Sequence, residues 1–200
     1  RDRAIDDYDV LNTAPSELDG IVWLAANICG VPTAVINIID EHHQHQIVAV
    51  GFDGDVCRRD DSMCAVVLDN AEQVVVADAS LDDRFATNPF VNGEIDRVRF
   101  YASSPLITPG GLPIGTLCVF DHAPGSLSAD AARGLNLLAR QVVDALELRR
   151  AARELRRSNA ELESFAGQIG HDLRNPLTAV TGFIELAATS PELDDAPEAR

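Results

Sequence analysis

Up to about residue 128, short apolar runs alternate with polar loops, a pattern typical of strands joined by turns. Apolar residues at helical spacing within 6–30 predict an opening helix, which Gly30 and Pro32 end. A short helix is expected over 62–70. Because short loops join the strands, we expect antiparallel pairing and an α+β sandwich of one sheet with flanking helices. Five strands are predicted, over 33–40, 47–51, 73–77, 99–108 and 112–121.

From Ser128 onward the pattern is helical, with a serine suited to cap the helix. A seam with alternating steps of three and four predicts a coiled coil between two copies of the chain, since a small domain rarely covers so long a stripe. Asn159 within the seam favours two strands and a fixed register. The alternative is one long helix packed on its own domain. The seam consists of Leu138, Gln141, Ala145, Leu148, Ala152, Leu155, Asn159, Leu162, Ala166, Ile169 and Leu173.

Composition indicates a globular, acidic protein. Hydrophobic residues make up 46% of the chain and charged residues 24%. The 32 acidic and 16 basic residues give a net charge of −16, which argues against nucleic acid or an anionic membrane as a partner. No apolar run approaches the ~18 residues of a membrane span, and no signal peptide is evident. The arginine at position 1 predicts a piece of a longer protein.

The four cysteines, Cys29, Cys57, Cys64 and Cys118, have spacings that fit no zinc site. A chain this rich in core residues needs no disulfides, so we expect a reducing, cytoplasmic setting. Histidines 42, 43 and 45 fall in a polar run, 41–46, that predicts a solvated turn. No further ligand is evident there, and no metal site is predicted.

Candidate chemistry lies at residues 170–177, Gly-His-Asp-Leu-Arg-Asn-Pro-Leu. Continuing the seam places His171 on the helix face away from the two-helix contact, where it can meet a partner. A carboxylate at Asp172 that accepts the Nδ1 proton would leave Nε2 as the nucleophile. Asn175 is four residues on and therefore shares the face of His171. Pro176 removes a helical hydrogen bond and predicts a hinge.

This string resembles the H box of sensor histidine kinases, and Phe165, 182–183 and 185–186 also fit their phosphoacceptor domain. The resemblance implies that His171 is phosphorylated from ATP and Mg²⁺ and passes the phosphoryl group to an aspartate of a response regulator receiver domain. Asp172 would then be the acid/base partner. Asn175 would orient the phosphoryl group or a water.

Two parts of such a kinase are not evident in this sequence. Nothing resembles an ATP-binding domain, and the glycine-rich 110–115 lies between two strands, which makes it a turn and not a phosphate loop. The second phosphoacceptor helix also has no counterpart, since 190–200 is acidic and contains two prolines. We therefore expect this chain not to phosphorylate itself without the missing domain.

The first part of the chain resembles GAF sensory domains, over residues 1 to about 148. The resemblance rests on the segments 11–15, 39–40, 62–65, 76–79, 83–85, 88–89, 99–102, 105–106 and 115–121. It implies a GAF-type antiparallel sheet whose one face, beneath a central helical excursion, holds a ligand. The expected domains are a GAF domain over 1–137, a coiled-coil signalling helix over 138–164 and a truncated phosphoacceptor domain over 165–200.

A GAF ligand pocket would be lined by Asn37, Cys64, Tyr101, Ser103 and Cys118, although all five also suit an ordinary core. The stimulus is left open, with a small molecule as one possibility. Attachment of a bilin is disfavoured, because no cysteine stands beside a histidine. Two other functions compete with the kinase: a ligand-free dimerisation module, and a GAF-type reductase of free methionine sulfoxide that uses Cys57, Cys64 and Cys118.

Overall fold

The computed structural model describes residues 1–11, 16–54 and 56–189, apart from the side chains of 167, 170–176, 179 and 187–189. The chain divides into two units, Arg1–Ala151 and Ala152–Arg200. A sheet and its covering helices form the first unit. The second unit continues the last helix. The domain boundaries predicted from the sequence stay predictions.

A six-stranded antiparallel sheet organises the first unit, in the order β3-β2-β1-β6-β5-β4. The predicted α+β fold is confirmed. The sheet has one strand more than predicted, because β3 is a two-residue edge strand and too short to show a pattern. The strands are β1 (Thr33–Ile39), β2 (His43–Val50), β3 (Cys57–Arg58), β4 (Val74–Val76), β5 (Phe100–Ile107) and β6 (Pro113–Asp121).

The prediction of a turn over 41–46 is wrong for most of its length, since β2 begins at His43. Gln44 pairs with Ile39 of β1, and Gln46 pairs with Asn37 next to a bulge. Alternating polar residues form a strand here because the fully buried β1 offers them its backbone hydrogen bonds. The partner strand, and not local propensity, decides the conformation.

Within residues 1–11, 16–54 and 56–189, five α-helices accompany the sheet. The opening segment forms two helices and not one, and α1 ends at Asp9, whose φ of 53° is left-handed. Gly30, at φ 67°, ends α2 as expected. Ser62 caps α3 by accepting the Ala65 N–H at 2.9 Å. The helices are α1 (Asp2–Tyr8), α2 (Glu17–Cys29), α3 (Met63–Leu68), α4 (Pro89–Asn92) and α5 (Ala129–Thr189).

The two faces of the sheet carry separate apolar cores, because side chains alternate along each strand. On one face, Ile36 and Leu117 are buried in a core that also contains Leu18 of α2 and Leu135 of α5. On the other face the buried core contains the following residues of the sheet and of the segment from α3 to α4: Val35, Tyr101, Cys118, Phe120, Met63, Leu68, Phe85 and Val91. The second face is where the predicted ligand pocket belongs.

Helix α5 is 61 residues long and includes Pro176. Its first turns are buried against the sheet, whereas Leu148, Leu155 and Leu162, seven residues apart, are 62–72% exposed. This is the stripe expected of one strand of a coiled coil, and the coiled coil itself stays a prediction. No described helix is both long and apolar enough to cross a membrane.

Candidate functional site

A small cavity lies on the sheet face covered by α3. Its volume is about 30 Å³, comparable with the space of one water molecule and far too small for a nucleotide or a haem in this conformation. Strands β1, β2, β5 and β6, helix α3 and the segment around α4 contribute its walls. The lining residues are Val35, Asn37, Gln44, Gln46, Phe52, Met63, Cys64, Phe90, Val98, Tyr101, Cys118 and Phe120.

Two thiols and an amide meet inside this cavity. Asn37, at the bulge of β1, donates from Nδ2 to Sγ of Cys64 at 3.4 Å and to Sγ of Cys118 at 3.3 Å. The Tyr101 hydroxyl donates to Sγ of Cys64 at 3.2 Å. Cys64 lies in the first turn of α3, and the Ser62 cap fixes that turn against the sheet. We call Asn37, Cys64, Tyr101 and Cys118 the thiol cluster.

Hydrogen bonding makes the two thiols of the cluster unequal. Cys64 receives hydrogen bonds from Cys118, Tyr101 and Asn37, and these lower its pKa despite burial. Donation to Cys64, together with burial, raises the pKa of Cys118 well above its usual value. Cys64 is therefore the thiol that ionises first, and the hydrogen bonds from its neighbours favour its thiolate form.

Two amide oxygens in the cavity wall have no hydrogen-bond donor among the described residues. They are Oδ1 of Asn37 and Oε1 of Gln46, and both are buried. A buried acceptor left unpaired costs about 1–3 kcal/mol. The neighbouring Gln44, by contrast, accepts a hydrogen bond from the Ser62 hydroxyl. The cavity therefore suits a small molecule or water that donates hydrogen bonds.

Four of the five predicted pocket residues come together as the thiol cluster. Ser103 is buried on β5 opposite Cys118 but does not line the cavity. Sequence reasoning missed Gln44 and Gln46, because their segment was assigned to a turn. Cys57 lies on the edge strand β3, and burial raises its pKa to about 11.

The predicted phosphoacceptor residues lie outside this unit. His171, Asp172, Asn175 and Pro176 belong to α5, and their side chains are outside the described residues. Their predicted roles therefore rest on the sequence alone.

Comparison with known proteins identifies the family of the first unit. The sequence profile of the GAF domain matches residues 14–147, two thirds of the chain. This chain belongs to the GAF domain family. A cyclic di-GMP phosphodiesterase of Pseudomonas aeruginosa is 38% identical over 125 residues, which are 62% of this chain and 21% of that protein. The chain thus spans about a fifth of the length of that relative.

Solved structures share the fold at low sequence identity. A domain described as part of a two-component sensor histidine kinase from Sinorhizobium meliloti has a TM-score of 0.55 and 17% identity, covering 72% of this chain and 98% of that one. Free methionine-R-sulfoxide reductase from Neisseria meningitidis has a TM-score of 0.56 and 16% identity, covering 73% of this chain and 87% of that one. These likenesses establish the GAF fold of the first unit.

Proposed function

We propose that this chain is the sensory and phosphoacceptor part of a two-component histidine kinase. The observation that carries the proposal is the string His171–Leu177 within α5, the same helix whose first turns pack on the GAF sheet. Because the helix that packs on the GAF sheet also carries the H-box sequence, it would connect ligand binding in the sensory domain directly with phosphorylation at His171. The ATP-binding domain would come from elsewhere in the full protein.

The input would be a small polar ligand in the cavity. Asn37 Oδ1 and Gln46 Oε1 offer two buried acceptors, so the ligand would be a hydrogen-bond donor. A cavity of about 30 Å³ has to open to admit anything larger than water, and α3 is the short element that would move. Ligand binding would then select a conformation in which α3 stands away from the sheet.

Transmission would use α5 in a parallel homodimer. Leu135, Val142 and Leu146 fix the start of the helix on the sheet face opposite the cavity. Leu155 and Leu162 remain exposed further along, at the spacing that pairs two helices. A change in the sheet would alter the rotation or splay of the two helices.

The output would be phosphoryl transfer at His171. Nε2 of His171 would attack the γ-phosphorus of MgATP, and the bond to ADP would break. The phosphoryl group would pass next to an aspartate of a response regulator. Asp172 would hold the Nδ1 proton of His171, and Asn175 would orient the phosphoryl group or, in the phosphatase reaction, a water.

Phosphorylation in trans tests this proposal. The chain is mixed with the separately prepared ATP-binding domain of the full protein and MgATP, and phosphate is located by mass spectrometry. We expect acid-labile phosphate on His171 that disappears in His171→Gln and persists in His122→Gln, a matched change at an exposed histidine. Absence of label with a demonstrably active ATP-binding domain contradicts the phosphoacceptor role.

A second candidate function follows from the hydrogen-bonded thiols. Cys64 would attack the sulfur of free methionine sulfoxide, release methionine and become a sulfenic acid. Cys118 would then close a disulfide with loss of water, and thioredoxin would reduce it. The lowered pKa of Cys64 favours this chemistry. NADPH consumption in a thioredoxin-coupled assay with methionine sulfoxide, absent in Cys64→Ser, would support it, whereas no turnover in the wild type rules it out.

A further inference from the structure

Beyond the proposed sensory function, we infer that Asp40, His43 and His45 form a binding site for a divalent transition metal such as Zn²⁺. One oxygen of Asp40 and one ring nitrogen of each histidine lie within 4.8 Å of one another. Imidazole and carboxylate are the donor set that zinc and its neighbours prefer in proteins. The cluster lies on the β1–β2 hairpin, outside the cavity.

The strand conformation of β2 creates the site. Alternate residues of a strand share a face, so His43 and His45 project together while Gln44 between them lines the cavity on the other side. Two histidines spaced by two on a strand can therefore serve one ion. A turn, which the sequence predicted here, would not give this geometry.

The hairpin backbone orients the third ligand. Oδ1 of Asp40 accepts the backbone N–H of His42 at 2.7 Å and of His43 at 2.6 Å. The other oxygen, Oδ2, is 2.6 Å from Nε2 of His45. The carboxylate is thus held by its own turn with one oxygen aimed at the histidines, as in metal sites whose ligands are oriented by hydrogen bonds.

Small side-chain movements would convert this cluster into a metal site. In a tetrahedral zinc site with bonds of about 2.1 Å, ligand atoms are about 3.4 Å apart. Asp40 and His45 would separate slightly, and His43 would rotate inward. The side chains of Asp40 and His45 are 23% and 21% exposed, so an ion can reach them from solvent and a water can complete the coordination.

The nearby arginines leave the carboxylate accessible. Arg58 pairs with His43 in the sheet, but its guanidinium lies 3.5 Å from Asp60. Arg59 donates to the backbone oxygen of Asp40 at 2.8 Å and not to its carboxylate. The net charge of −16 also favours the approach of a cation.

Metal binding is tested on the untagged 200-residue chain after removal of metal with EDTA. Zn²⁺ is titrated by calorimetry, and Co²⁺ is followed by its visible ligand-field spectrum. We expect one equivalent of either ion to bind, with tetrahedral-type intensity for Co²⁺. Affinity should fall by more than about 10- to 100-fold in His43→Ala and in Asp40→Asn, because the loss of an outer-shell partner alone costs that much.

Matched variants separate this site from general histidine binding. His45→Gln can keep a hydrogen bond to Asp40 while losing the imidazole, so a loss of affinity in this variant is not a loss of folding. His42→Ala and His122→Ala remove histidines outside the cluster and should bind like the wild type. The inference is overturned if the wild type binds no ion, if a His43→Ala/His45→Gln double variant binds normally, or if His42→Ala loses affinity equally. Circular dichroism confirms folding, and none of these outcomes bears on His171.

Discussion

The phenol of Tyr101 donates a hydrogen bond to Sγ of Cys64 across 3.2 Å, linking β5 to the helix that covers the cavity. Both groups are buried, at 2% and 3% exposure. Burial raises the pKa of Tyr101, and ionisation beside the sulfur of Cys64 raises it further. The hydrogen bonds that Cys64 receives from Cys118 and Tyr101 favour its ionised form. The contact therefore affects the acidity of both groups and joins α3 to the sheet.

Removing this donor should raise the pKa of Cys64. A hydrogen bond to a charged group contributes about 1.5–3 kcal/mol, so Tyr101→Phe should shift the first thiol ionisation upward by about 1–2 pH units. The shift is read from the ultraviolet absorbance of the thiolate. Cys29 and Cys57 do not interfere, because burial raises the pKa of each to about 11. This first thiolate ionisation should be absent in Cys64→Ser. An unchanged midpoint in Tyr101→Phe would mean that the hydrogen bond does not influence the pKa of Cys64.

Both tyrosines of the chain should resist ionisation while it is folded. Burial raises the pKa of Tyr8, and its hydrogen bond to Glu147 adds to the effect. Burial and Cys64 do the same for Tyr101. Tyrosinate absorbance should therefore be absent from the native protein near pH 10 and appear with a midpoint of about 10 in urea. A native midpoint near 10 for both would contradict the buried environments.

The raised pKa of Tyr8 should make the free energy of unfolding fall as the pH becomes alkaline. Since folding raises the pKa of Tyr8, its contribution is complete below about pH 10 and is lost as pH rises further. Urea denaturation of the wild type should thus show a larger loss between about pH 9 and 11 than that of Tyr8→Phe. Equal losses in the two proteins would assign the alkaline sensitivity to other groups.

Gly115 should be intolerant of a side chain. A Cβ there would lie 2.0 Å from the backbone oxygen of Asn37 on β1, so the two central strands would have to move apart. We expect Gly115→Ala to lower the free energy of unfolding by about 1–3 kcal/mol. The matched control is Gly20→Ala in α2, where nothing lies within 4 Å and the helix should gain up to about 1 kcal/mol. Thermal unfolding followed by circular dichroism compares the two, and equal effects would contradict the close approach.

Asn159 should limit the stability of the predicted dimer. Replacing a polar seam residue by leucine increases apolar contact between two helices but weakens control of their register. Asn159→Leu should therefore raise the melting temperature of the predicted dimer and make the signal response of the proposed kinase weaker. Ser164→Leu, off the seam, is the control. Sedimentation equilibrium and unfolding at several concentrations measure the first effect. A fully retained signal response in the full-length protein would contradict the second.

Much of the fold could be predicted from the sequence. The bounds of β1, β5 and β6 lie within a residue of the predicted strands, because continuous or alternating apolar runs carry that information locally. A short helix over 62–70 was also predicted, and α3 lies within that range. The division of the opening segment into two helices was not predictable, since the left-handed residue that ends α1 is Asp9 and not a glycine.

The candidate site was predictable in its residues but not in its contacts. The GAF resemblance pointed to Asn37, Cys64, Tyr101 and Cys118, and these do meet. Which thiol is the more acidic depends on which group donates each hydrogen bond in the cluster. That arrangement exists only once α3 is packed on the strands of the sheet. Gln46 was missed, and His43 and His45 were assigned to a solvated turn, because the face that each occupies is defined only by pairing with β1.

The sequence by itself determined most of the strand and helix order, the GAF domain, the long helix with its seam, and the string at 170–177 that resembles an H box. These depend on local periodicity and on short strings that the chain carries wherever it folds. Only the tertiary structure decided that a polar run becomes β2, that the cavity is as small as one water, and that Asp40 reaches His45. Each of these depends on strands and helices distant in sequence, whose backbone pairing and packing outweigh the weak preferences of the residues involved.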